Sequence, residues 1–226
     1  MQIRLIALIT GLLAALPALA GLESISNQDA VSGLRAALVK GSEYAVASLG
    51  KQDGFLGNGK VKIPLPESVQ QIEGVMRQFG MGKYADELVV TLNRAAEAAV
   101  PEAKVLLVDA VKKMSVQDAK GILTGGQDSA TQYFKRTTGD QLRAKFLPIV
   151  KKATAKVQLA QKYDEYAGKG ARFGLVSKED ANLDSYVTQK ALDGLFVMVA
   201  EEEAKIRQNP AEAATSILKK VFGALK

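Results

Sequence analysis

Apolar residues recur every three or four positions along nearly the whole chain, and strict alternation is almost absent. That period marks helices with one buried stripe. Val69, Ile72, Met76 and Phe79 form one such face, and Leu88, Leu92, Ala95 and Ala99 a second. Leu142, Phe146, Ile149, Ala153 and Val157 form a third, and Leu192, Leu195, Phe196, Val199 and Ile206 a fourth. Each stripe needs a partner helix, so the pattern predicts an all-α fold, a multi-helix bundle of about eight to nine helices. The predicted helices are 26–49, 67–79, 83–99, 101–114, 116–123, 127–137, 139–166, 178–208 and 210–225. One long irregular loop remains, near residues 50–66, with Lys60 to Pro64 as a short extended piece. Its apolar residues Phe55 and Leu56 either cover a pocket or tuck into the core, and tucking is the expectation.

Starts and stops support these boundaries. The pattern Ser-x-Gln/Glu-Asp-Ala occurs at Ser26, Ser115 and Ser177. In each, Ser is placed to cap a helix, and the Asp three residues on favours the positive helix N-terminus. The flanks differ, so these are similar caps rather than an internal repeat. Glycines at 50, 80, 82, 125, 126, 168 and 170, and Asn209-Pro210, punctuate the chain. Pro66 and Pro101 sit where a first helical turn tolerates proline. Pro148 is expected to kink the helix that contains it.

The first residues depart from this amphipathic pattern. Arg4 is followed by an uncharged apolar stretch over 5–16, then Pro17 and Ala18-Leu19-Ala20. This reads as a signal peptide cleaved between Ala20 and Gly21. The stretch falls short of the roughly 20 residues that span a bilayer. The expected organisation is a signal peptide over 1–20 and a single helical domain over 21–226, periplasmic or secreted.

Composition narrows the chemistry. The chain contains no His, no Cys and no Trp. Imidazole- and thiolate-based metal sites, Ser-His-Asp triads and Cys-His pairs are excluded, and no cofactor is expected. Disulfides are excluded too, so burial alone must hold the domain together. Net charge is +6 and unevenly spread. Residues 135–172 carry ten basic residues against three acids, and 177–212 carry eight acids against four bases. An antiparallel helix pair would set these arms side by side and neutralise them. Otherwise the basic stripe is free to meet anionic lipid or polyanion. Export, and the lack of aromatic–basic interleaving, speak against nucleic acid.

Several positions invite a closer look. Thr124, Gly125 and Gly126 form a glycine turn ahead of a helix, where free amides can hold an anion. No Gly-Lys-Ser/Thr follows, Asp128 would repel an anion, and a tight capped turn explains the residues equally. Arg94 and Glu97 lie three apart on a helix, with Asn93 and Glu87 on the same side. They form either a polar cluster at a pocket mouth or surface ion pairs worth about 0.2–0.5 kcal/mol each. Asp180, Asn182 and Asp184 begin like a calcium loop. Ser185 and Ala191 then stand where its glycine and bidentate Glu belong, so a helix cap is the better reading and no metal is expected. Near the C-terminus Ile217, Leu218, Val221, Phe222 and Leu225 share a face, with Lys219, Lys220 and Lys226 elsewhere. Such a helix either lies on a membrane or docks on its own bundle.

Longer runs carry a resemblance. They include Asp53-Gly54-Phe55-Leu56, Ile63-Pro64-Leu65-Pro66 and Asn93-Arg94-Ala95-Ala96-Glu97-Ala98-Ala99-Val100-Pro101. Leu123-Thr124-Gly125-Gly126, Ala130-Thr131-Gln132-Tyr133-Phe134 and Gly194-Leu195-Phe196 follow. Glu201-Glu202-Glu203, Ile206-Arg207, Asn209-Pro210 and Leu218-Lys219-Lys220-Val221-Phe222-Gly223 complete the set. The chain from residue 21 onward resembles domain-of-unknown-function family 4197. The resemblance implies an exported bacterial helical protein and carries no activity, cofactor or catalytic residue. Three readings stay open. The first is a non-catalytic binding or envelope-associated module, with an envelope protein or an apolar small molecule as partner. The second is a peripheral protein making weak contact with anionic membrane through its C-terminal helix or the basic arm. The third is a carboxylate-based enzyme, against which the missing residue types weigh.

Overall fold

A computed structural model describes residues 27–80, 82–156, 163 and 182–208. Among these residues the chain is helical apart from turns and one strap. Its helices are α1 (Asn27–Leu49), α2 (Glu67–Gln78), α3 (Gly82–Ala99), α4 (Ala103–Lys113), α5 (Val116–Thr124), α6 (Ser129–Thr154) and α7 (Leu183–Gln208). A 3-10 turn, Val100–Glu102, joins α3 to α4 around Pro101.

The all-α architecture stands as expected, with seven α-helices among the described residues. The segments 127–137 and 139–166 are one helix as far as Thr154. A glycine inside a helix costs only about 1 kcal/mol. Phe134, Leu142, Phe146 and Val150 are buried on both sides of Gly139 and outweigh it. Pro148 also lies inside α6. The predicted helix 210–225, the start of 178–208 and the caps at Ser26 and Ser177 lie outside the described residues.

The core is built around α6 and α7, which make the most extensive helix contact. They run antiparallel. Thr131 meets Glu203, Arg143 meets Gln189, and Thr154 meets Asp184 in successive side-chain hydrogen bonds. Helix α3 lies across both, burying Leu88, Leu92, Ala95, Ala96 and Ala99. Its alanines permit that close approach. Helix α1 packs on α7 and α4 through Leu34, Leu38, Ala45 and Leu49. Burying each such Leu or Phe contributes about 1.5–3 kcal/mol, and with no disulfide these contributions carry the fold.

Helix α2 is peripheral and packs chiefly on α3. Of its predicted stripe, the side chains of Val69, Ile72 and Met76 lie outside the description, and Phe79 is 74% exposed. Phe79 follows the last turn of α2, where the chain reverses at Gly80, so it does not follow the helical face.

The 50–66 loop is a strap laid on the bundle. Phe55 is fully buried, as expected, and its ring fills the space above Gly194, where an added Cβ would stand 2.6 Å from Phe55 Cε1. At Gly54 an added Cβ would meet the Leu49 carbonyl oxygen at 2.4 Å, so only glycine fits this turn. Beyond it Val61, Ile63 and Leu65 are buried while Lys62 and Pro64 are exposed. That two-residue alternation belongs to an extended chain.

Candidate functional site

A polar ridge on α3 holds the strap, with Tyr186 of α7 donating to the Pro64 carbonyl at 3.1 Å. Asn93 and Glu97 lie one helical turn apart and are 0% and 5% exposed, on a helix otherwise buried by alanine and leucine. The Asn93 carboxamide behaves as a one-residue strand partner. Its Oδ1 accepts from the Ile63 amide at 2.8 Å, and its Nδ2 donates to the Ile63 carbonyl at 2.9 Å. Nδ2 also donates to the Val89 carbonyl at 2.8 Å. Glu97 Oε1 accepts from the amides of Phe55 and Leu56 at 3.0 and 3.2 Å. Its Oε2 takes the Arg94 guanidinium at 2.6 Å, and Arg94 reaches on to Asp53 at 2.7 Å. Asp53 sits at φ 63°, a backbone region that disfavours L side chains, and Arg94 fixes it there. Glu97, then Asp53, hold the guanidinium pKa above its ordinary value. Arg94 and Glu97 are thus brought together at the foot of the strap, and neither lines the groove between the strap, α2 and α3. Glu87 is exposed.

A second clamp was not anticipated. Glu203 of α7 is 4% exposed and accepts from the Ala130 and Thr131 amides at 3.0 and 2.9 Å and from the Thr131 hydroxyl at 2.9 Å. It caps α6 from a different helix, where the dipole favours a carboxylate. Arg207, one turn on, pairs with Glu203 at 2.7 Å and donates to the Ile122 carbonyl near the end of α5. The pair therefore closes both sides of the glycine turn. Thr124, Gly125 and Gly126 stand there, and the Thr124 hydroxyl is turned to the Lys120 carbonyl. The first inward amides of α6 already hold a carboxylate, that of Glu203. In sequence Glu203 ends an acidic run that resembles a solvated surface; its spacing of four from Arg207 was the one available signal.

Other predicted features fall as follows. Ser115 forms the expected cap, and as a full capping box: its hydroxyl accepts from the Asp118 amide, and Asp118 accepts from the Ser115 amide. These Ser115 hydrogen bonds hold the Asp118 carboxyl below the ordinary 3.8. Asn182 accepts from the Ser185 amide, a capping contact, and Asp184 accepts from the Thr154 hydroxyl. Asp180, and Lys219, Lys220, Val221, Phe222 and Leu225, lie outside the described residues. No cluster of three metal-ligating side chains occurs among the described residues, and no described helix is long and apolar enough to cross a membrane.

One open groove of about 640 Å³ lies between the strap, α2 and α3. Leu56, Pro64, Leu65, Val89 and Val90 supply its apolar surface. Across it Arg77 of α2 bonds Glu73 at 2.6 Å and Asp86 of α3 at 2.6 Å. The Arg77 hydrogen bond holds the Asp86 carboxyl below its ordinary value, and the guanidinium is correspondingly raised. Lys62 and Gln70 complete the rim. The groove depends on the ridge, because Asn93 and Glu97 place the strap that forms one wall. By contrast, the two clefts beside Glu203 hold only about 10 Å³ each, one water at most.

No curated protein and no solved structure matches the chain. The family model described as "Protein of unknown function (DUF4197)" matches residues 24–223. With nearly the whole chain inside that match, this protein belongs to the DUF4197 family.

Proposed function

We propose that the chain is an exported, non-catalytic binding module, and that the groove between strap, α2 and α3 seats an apolar small molecule with a polar end. The carrying observation is the groove itself. Its volume falls in the range of ligand sites, roughly 300–1,000 Å³, and its apolar floor is bordered by Lys62, Gln70 and the Arg77 pairs with Glu73 and Asp86. The floor would take the apolar body, and Arg77 or Lys62 would orient the polar end. The buried carboxylates support a non-catalytic reading. Glu97 is engaged by two backbone amides and an arginine, Glu203 by two amides, a hydroxyl and an arginine, and neither lines the groove. A general acid or base needs a free position toward substrate.

Native mass spectrometry of protein recovered from the periplasm, beside its denatured mass, tests the reading. The expected polypeptide begins at Gly21 and carries a reproducible extra mass that denaturation removes. Val90→Lys, which puts a charge on the apolar wall, should lose that mass while keeping the helical circular dichroism. A bare protomer mass for the unaltered protein, or an adduct indifferent to Val90→Lys, removes the groove as the seat. A polypeptide that retains residues 1–20 removes the export reading.

A further inference from the structure

The basic residues of α6 divide into two groups. Those up to Arg143 have local partners. Lys135 stands over the Phe196 ring, Arg136 reaches Asp118 and the Tyr133 ring, and Arg143 bonds Gln189. Those near the C-terminal end, Lys145, Lys151 and Lys152, are exposed and make no ion pair among the described residues; Lys156, just past the helix, is the same. Lys145 and Lys152 are seven residues apart, so they stack on one face about 10.5 Å apart along the axis. Pro148, also exposed, lies between these lysines and Lys151, and Leu147, 38% exposed, is the neighbour of Lys151 one turn back.

Among the described residues no carboxylate forms an ion pair with this group. Helix α7 packs along α6, but its carboxylates are engaged elsewhere. Asp184 takes the Thr154 hydroxyl and Asp193 the Gln189 amide. Glu201 pairs with Lys60, Glu202 with Lys205, and Glu203 with Arg207. Asp140 is the one acid on α6. The expected cancellation of the basic arm by the acidic one is therefore not made by any ion pair between the described parts of α6 and α7.

We infer that this lysine face, at the end of α6 remote from the Glu203 clamp, docks the protein on an anionic phospholipid surface. The chemistry favours a lipid surface over a shaped anion. Lysine ammonium groups are compact hydrated charges without the bidentate fork that arginine offers a single phosphate. They lie on a convex helix face, which meets a plane; a polyanionic strand is usually gripped in a channel with aromatic platforms. Exposed Leu147, at the Lys151 edge of this face, can enter the interface between headgroups and acyl chains. The contact is independent of the groove.

Co-sedimentation of the purified chain with vesicles tests this. Wild type should bind vesicles of equal parts phosphatidylglycerol and phosphatidylcholine, should not bind phosphatidylcholine alone, and should be released by salt. Replacing Lys145, Lys151 and Lys152 with Gln should lower the partition coefficient about 100-fold, roughly fivefold per lysine. Arg at the same positions should keep wild-type binding. A control removes the same charge elsewhere, through Lys40→Gln, Lys113→Gln and Lys120→Gln, and should lose less than about tenfold. Equal losses in the two triple variants would show that net charge, not this face, is read. Binding that ignores salt, or capture by heparin with no vesicle binding, would likewise overturn the assignment.

Discussion

Glu97 and Glu203 perform the same chemistry in two regions with different consequences. Each is a buried glutamate that accepts two backbone amides and one arginine. Glu203 does so at the start of a helix, where the amides are free by construction and the dipole adds to the attraction. Its arginine is only 17% exposed in the side chain. Glu97 does so on a non-helical strap, and its arginine is 34% exposed, bridging to a half-exposed Asp53. One clamp seals the joint between three helices. The other tethers a surface segment that borders a groove. A buried carboxylate is thus poor evidence of catalysis until its partners are counted, and both of these are engaged by backbone amides and an arginine.

The comparison breaks most visibly at Glu203. Glu203→Ala leaves Arg207 largely buried without its partner and uncaps α6. The expected loss is about 3–5 kcal/mol of global stability, read by urea denaturation. A loss below about 1 kcal/mol would mean that water replaces the carboxylate easily. Glu97→Ala should cost less, about 2 kcal/mol, because Arg94 keeps Asp53 and solvent. Its signature is local: hydrogen exchange should accelerate at the Phe55 and Leu56 amides while α6 and α7 keep their protection. Uniform acceleration across the molecule would show that the strap is integral to the core.

The smallest effect belongs to a third carboxylate, Asp118, whose capping box is exposed. Ser115→Ala should cost about 1 kcal/mol at neutral pH. The sign of its pH dependence follows from the lowered pKa of Asp118. The stability it contributes is present above the ordinary 3.8 and fades as pH falls through the lower folded value. Wild type and Ser115→Ala should therefore converge in thermal melts in strong acid. A gap that stays constant with pH would assign the cap to the hydroxyl alone.

Much of the architecture was legible because helical periodicity is a local property. The stripes on α3, α6 and α7 are read from spacing, and the Ser115 cap from its motif. The merging of two predicted helices across Gly139 was not legible. A single glycine looks like a stop until the apolar residues on both sides are known to pack on the same neighbours. The site was less legible than the fold. Arg94 and Glu97 were picked out by spacing, but not what they hold, since their partners at 53, 55 and 56 are some forty residues away. Glu203 hid in an acidic run because charge alone does not reveal burial.

By itself the sequence determined an all-α, cysteine-free chain of the DUF4197 family and excluded imidazole and thiolate chemistry. These depend on composition, on period and on long motifs, which survive without coordinates. Only the tertiary structure decided which charges are spent and which are free. It turned Glu97 and Glu203 inward onto backbone amides and formed the groove from three separate segments. It also left Lys145, Lys151 and Lys152 facing outward. Hydrogen bonding and desolvation act over a few ångströms in space, and sequence distance does not encode that neighbourhood.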